Sequence, residues 1–239
     1  MKNMLIPTTF EEDTLTAVKT AIKYAQGKNC SLILMQLQKI PDTYSSISFL
    51  RETTPSFTKA QEDVLERCRQ TVAQSGNCRL KVHNQCGISV PLLRNLTKYL
   101  NIGLVILTPS YKNEKAAIHK DCKTLLQNSK CSLLHLEANN DEYEFTKALY
   151  LEHTKVELGI NELQRMITEQ FPLKIVSQAR IEEENPADIE PFLSETIAKN
   201  NIDILIEARK SSKKRSNTTI GTNHNLGLPL LSIYADAAV

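Results

Sequence analysis

The chain has 239 residues, 41% of them hydrophobic, which is enough to bury one large or two small cores. Its formal net charge of +2 is too mild to argue for a nucleic-acid partner, and the apolar run after Asn3 is far too short to span a membrane. The charge is unevenly spread: residues 1–139 carry 18 basic and 11 acidic side chains (+7) and residues 140–239 carry 11 and 16 (−5), which suits either two halves that dock or two independent solvated surfaces.

In chain order, Asn3 to Phe10 is a short apolar run ending in small polar residues, the pattern of a buried parallel strand feeding a helix. Ligands of open α/β sheets bind beyond the C-terminal strand ends, so Thr8 and Thr9 stand where chemistry is expected. Glu11, Glu12 and Asp13 crowd the next helix start, where the macrodipole favours negative charge. Val18, Ala21, Ile22 and Ala25 recur at helical spacing, and Gly27 supplies a stop. A second buried strand is expected over residues 31–37, then an irregular stretch to residue 54. Thr54-Pro55 reads as the cap and first turn of another helix, with Ala60, Val64, Leu65, Cys68 and Val72 inward.

Arg79 to His83 reads as a less apolar strand near the sheet edge. A helix follows from Pro91 to Tyr99 with Leu92, Leu93 and Leu96 inward, then a central strand from Gly103 to Leu107, followed by Thr108-Pro-Ser-Tyr-Lys112. Ile118, Cys122, Leu125 and Leu126 mark another amphipathic helix, and Ser132 to Leu136 a fifth strand. Alternation at this spacing means parallel βαβ units. The polar residues Asn139 to Glu142 suggest the boundary between a first domain, 1–139, and a second, 140–239. A weaker copy of the pattern then reads as strands at Lys147–Leu151, Leu173–Val176, Ile202–Ile206 and Leu228–Ile233, with helices over 158–167 and 189–199.

The six cysteines fall in the first half with no C-x-x-C pair, which together with the lack of a secretory apolar segment at Met1 to Asn3 suggests a cytoplasmic protein with reduced, packed thiols. Cys78, His83 and Cys86 make a poor zinc set: the two cysteines share a strand face roughly 27 Å apart and His83 points away. His83, His119, His135, His153 and His224 are scattered without metal or Cys-His spacing, and His135 reads as a core residue. No G-x-S-x-G elbow, P-loop or H-E-x-x-H is present, Glu182 to Glu184 and Asp188 read as a solvated helix approach, and neither catalytic nor metal residues are assigned.

Leu5-Ile-Pro-Thr-Thr-Phe10 with its following helix, Gly103 to Leu107, and the strand Leu133 to Leu136 together resemble a universal stress protein domain over residues 3–136, and the second half resembles a shortened, degenerate copy. The resemblance implies an α/β fold: two tandem open parallel sheets of the adenine nucleotide alpha hydrolase-like type, with strand order 3-2-1-4-5 and the second domain shortened. Members that bind ATP carry an aspartate at the position of Thr9 and a glycine-rich pattern after the fourth strand. Here that segment is Pro109-Ser-Tyr-Lys-Asn-Glu-Lys115, and His119-Lys120 stand where the closing Gly-Ser would fall. Glycines let backbone N–H groups approach phosphate closely, so their replacement makes that cradle improbable. Thr8, Thr9, Ser110, Lys112, His119 and Lys120 are therefore the residues of a degenerate nucleotide site, and no cofactor is expected.

The expected function is a nonenzymatic stress-response or regulatory protein acting through a protein partner or a small ligand held between the halves. Neither nucleic acid nor a membrane is expected as partner. The apolar strands at 133–136 and 228–233 are expected to meet within the chain as a pseudo-dimer, leaving a monomer or weak homodimer. The alternative is a nucleotide-binding or hydrolysing module in which Lys112, His119, Lys120 or the basic run at 209–215 replaces the glycine loop.

Overall fold

Near-continuous apolar runs, covered on both faces, set the strands of the first unit. The computed structural model describes residues 2–40, 56–138, 143–153, 159–171, 173–181, 186–209 and 226–234. The chain divides into two compact units, Met1–Cys131 and Ser132–Val239.

Unit 1 holds β1 (Asn3–Pro7), α1 (Asp13–Ala25), β2 (Cys30–Gln38), α2 (Lys59–Ser75), β3 (Cys78–Cys86), α3 (Val90–Tyr99), β4 (Ile102–Leu107), α4 (Pro109–Asn113) and α5 (Ala117–Gln127). Its strands run in the order β3-β2-β1-β4, all parallel. Leu5, Ile6, Leu32, Ile33, Leu34, Met35, Val105 and Ile106 are buried, as expected of strands covered on both faces. The Asn3 side chain ties three strand starts together: its Nδ2 donates to Leu100 O (2.7 Å) and its Oδ1 accepts from Ser31 N (2.9 Å). β3 lies at the edge, and only its first residue, Cys78, is fully buried.

The helices follow the apolar spacing, with local corrections. α1 buries Ala17, Val18, Ala21, Tyr24 and Ala25, and α2 buries Val64, Leu65, Cys68 and Val72. Thr54-Pro55 lies outside the described residues. The cap of α2 is Thr58, whose hydroxyl accepts from Gln61 N while the Gln61 side chain accepts from Thr58 N, a complete capping box. Ala60, expected inward, is exposed because it falls in the first turn of the displaced helix. Leu92 is 45% exposed and not inward, since α3 turns Leu93 and Leu96 to the sheet. Pro109–Asn113 form the short helix α4, capped by the Thr108 hydroxyl.

Unit 2 holds β5 (Ser132–His135), β6 (Lys147–His153), α6 (Ile160–Gln170), β7 (Lys174–Ile181), α7 (Pro186–Asn200), β8 (Ile204–Arg209) and β9 (Leu230–Tyr234). Its strands run in the order β5-β9-β8-β6-β7. β6 is flanked by β7 and β8 in parallel, as β1 is by β2 and β4, and β9 follows beside β8. Compared with the five-strand order, this copy has no counterpart of the third strand among the described residues. β5 joins β9 antiparallel, pairing Leu133 with Ser232 and Leu134 with Leu231. The second unit begins at Ser132, ahead of the polar stretch at 139–142, which lies outside the described residues. Leu149, Leu151, Ala179, Leu193, Ile202 and Leu205 form the core beneath.

Candidate functional site

In unit 1 the neighbouring strands β1 and β4 end beside one another, and each hands over to a helix. This is the crevice where open parallel sheets hold ligands. Its first wall is the turn at Thr8, Thr9 and Phe10. Thr8 is fully buried, its N–H donates to Met35 O (2.9 Å), and its hydroxyl shares a hydrogen bond with the Thr14 hydroxyl (2.7 Å). The same Thr8 oxygen accepts from Phe10 N (2.7 Å), which holds Phe10 at φ +62°, a left-handed conformation uncommon for an aromatic residue. Phe10 is thereby turned inward, where its ring meets Phe57 edge-on at 5.0 Å. The Thr9 carbonyl accepts from Gln61 Nε2 at the start of α2 (3.0 Å).

The second wall is the start of α4. Ser110 N donates to Asp13 Oδ2 (2.7 Å) and Ser110 Oγ to Asp13 Oδ1 (2.6 Å), so one carboxylate from the first turn of α1 grips both groups. Short, charge-assisted bonds of this kind are the strong ones. The Ser110 hydroxyl also lies 3.1 Å from that of Thr108. Asp13 thus stands where an external anion would meet this turn. Sequence reading had placed it only as a helix-start charge. The Thr108-Pro109 pair is the local signal for the cap and first turn of α4, whose start carries Ser110.

The remaining expected site residues do not converge on that turn. His119 is buried on α5, its Nδ1 3.3 Å from the Tyr111 hydroxyl and the two rings edge to face at 5.2 Å. Burial lowers its pKa; Glu114 works against that and Lys123 with it. Burial likewise pushes the Tyr111 hydroxyl well up, with the neighbouring Cys122 adding to the effect, and raises the Cys122 thiol to about 11. Lys123, lowered by burial, donates to the carbonyls of Lys112 and Glu114, so its ammonium caps backbone. Lys112 is half-buried and Lys120 exposed. Of the basic run only Arg209 is described; its guanidinium lies 5.8 Å from the Tyr234 ring centre, and 210–215 lie outside the described residues, as do His224 and Glu182 to Glu184. His135 is half-buried on β5, less deep than a core residue. Among the described residues no group of three or more His, Cys, Asp or Glu side chains could hold a metal, and no helix is long and apolar enough to cross a membrane.

Neither described protein families nor curated proteins return a match to the sequence. Solved structures do. A universal stress protein from Archaeoglobus fulgidus DSM 4304 superposes with a TM-score of 0.59 at 10% identity, covering 98% of this chain and 96% of that one. A protein of unknown function from Pseudomonas aeruginosa PAO1 gives 0.55 at 12% identity, covering 100% and 94%. A protein assigned provisionally to the universal stress proteins, from P. aeruginosa UCBPP-PA14, gives 0.54 at 12% identity, covering 100% and 95%. The chain therefore has the universal stress protein fold along nearly its whole length.

Proposed function

We propose that this chain is a nonenzymatic stress-response or regulatory protein of tandem universal stress type that does not bind ATP in the usual mode. The observation that carries this reading is the Asp13 carboxylate on Ser110 N and Oγ. A phosphate arriving at that turn would meet a fixed negative charge where it needs a free donor, and the surrounding backbone carries side chains and a proline in place of glycines. Thr9 supports the same reading, since its hydroxyl replaces a carboxylate and its carbonyl is already engaged by Gln61. The protein then works through contacts with another protein or with a ligand other than a triphosphate. In the competing reading, a nucleotide module built on Lys112, His119, Lys120 or the basic run at 209–215, His119 takes part only by leaving its buried contact with Tyr111.

The test is native mass spectrometry of the purified full chain for retained adenine nucleotide, together with thermal shift in millimolar ATP and AMP. The expected result is an unliganded mass and an unchanged melting temperature. A ligand at a hundred times its Kd stabilises by about 2.7 kcal/mol. A bound nucleotide mass, or a melting temperature raised by roughly 5 °C or more in ATP, overturns the reading.

A further inference from the structure

Residues 30 and 78 open β2 and β3, and the two strands pair in register from that first position, Cys30 opposite Cys78. Their sulfurs are 3.5 Å apart. Neighbouring strands lie about 4.8 Å apart, inside the Cα separation range that a disulfide spans. The bond needs the sulfurs to close by roughly 1.5 Å, which small side-chain rotations at both residues supply. The turns that lead into both strands lie directly beside the pair: residues 26–29 are exposed, and Gly76 is exposed at φ +73° as the left-handed cap of α2. Both cysteines are buried, at 7% and 8% exposure, beside these exposed turns. No other pair of cysteine sulfurs among the described residues comes as close, and Cys68 and Cys122 are buried singly.

We propose that Cys30 and Cys78 form an oxidant-responsive dithiol, converted by hydrogen peroxide into a cross-strand disulfide that staples the edge strand β3 to the sheet. One sulfur attacks the peroxide O–O bond, becoming a sulfenic acid and releasing hydroxide, which takes up the thiol proton as water. The second sulfur then displaces the sulfenic oxygen, the S–S bond forms and a second water leaves. Two thiols lose two electrons and two protons in all, and the peroxide is reduced to two waters. Burial and the adjacent Cys78 sulfur push the Cys30 thiol up to about 12, so thiolate is scarce at neutral pH, attack on peroxide and alkylation are slowed alike, and both speed up as the solution becomes more alkaline. The proposal stands apart from the nucleotide question, since the pair lies at the opposite ends of the strands from Thr8 and Ser110.

The test is the folded full chain treated with millimolar hydrogen peroxide, blocked with maleimide in denaturant and mapped by peptide mass. The expected product is a Cys30–Cys78 linked peptide, two of the six thiols lost, reversal by dithiothreitol, and a melting temperature raised by about 5 °C. Cys30→Ser and Cys78→Ser each abolish the link. Folded protein that keeps both thiols while the half-buried Cys86 is oxidised overturns the proposal. So does a link that forms only after unfolding.

Discussion

Removal of the Asp13 carboxylate is the sharpest perturbation of the candidate site. In Asp13→Ala the Ser110 N–H and hydroxyl lose their acceptor, and both bonds are short and charge-assisted, at 2.7 and 2.6 Å. Hydrogen bonds to a charged group contribute about 1.5–3 kcal/mol each. The hydroxyl recovers part of that through Thr108, 3.1 Å away, whereas the half-buried N–H has no second partner of that kind. Asp13 also places negative charge in the first turn of α1, a further effect of about 0.3–1 kcal/mol. The expected loss is about 2–4 kcal/mol, or roughly 5–12 °C in the melting temperature of unit 1. Asp13→Asn keeps one oxygen to accept from Ser110 N and falls between the two. The measurement is urea unfolding followed by circular dichroism, with the midpoint compared at constant slope. A loss below about 1 kcal/mol for Asp13→Ala, with Asn and Ala alike, refutes the claim that this carboxylate holds the two strand ends together.

His119 gives the pH dependence. Burial lowers its folded pKa below the unfolded value, so the unfolded chain binds the proton first; stability is full above about pH 6.5 and is lost as pH falls from there toward the folded pKa, at up to about 1.4 kcal/mol per pH unit for one proton. In His119→Gln the melting temperature between pH 7 and 5.5 becomes flatter; an unchanged slope shows that other groups set it. Thr58→Ala breaks the capping box of α2 and costs about 1 kcal/mol by urea unfolding, and a neutral result contradicts that assignment. Arg67→Ala removes the two-pronged contact with Glu12 at 2.5 and 2.6 Å, but both side chains are largely exposed, so the change stays within about 1 kcal/mol and fades in high salt.

How much of this was legible in the residues differs between the scaffold and the site. Apolar runs such as Leu32 to Met35 and Val105 to Leu107 declare buried parallel strands by themselves, and the 3.6 spacing of Val18, Ala21, Ile22 and Ala25 declares the helix that covers them, with Ile22 half-buried at its margin. The less apolar run from Arg79 to His83 placed β3 at an edge. All these are short-range patterns, because burial repeats along the chain with the period of the backbone. Missing glycines after Leu107 were equally legible.

What filled their place was not. Asp13 and Ser110 are 97 residues apart, Cys30 and Cys78 are 48 apart, and no local pattern announces either meeting. Parallel pairing of β1 with β4 and of β2 with β3 brings them together, and that pairing is decided by which faces the whole chain can bury at once. The inward turn of His119 and the outward turn of Leu92 have the same origin: an apolar stripe fixes a helix's mean direction, while its neighbours decide which side chain at the margin is covered.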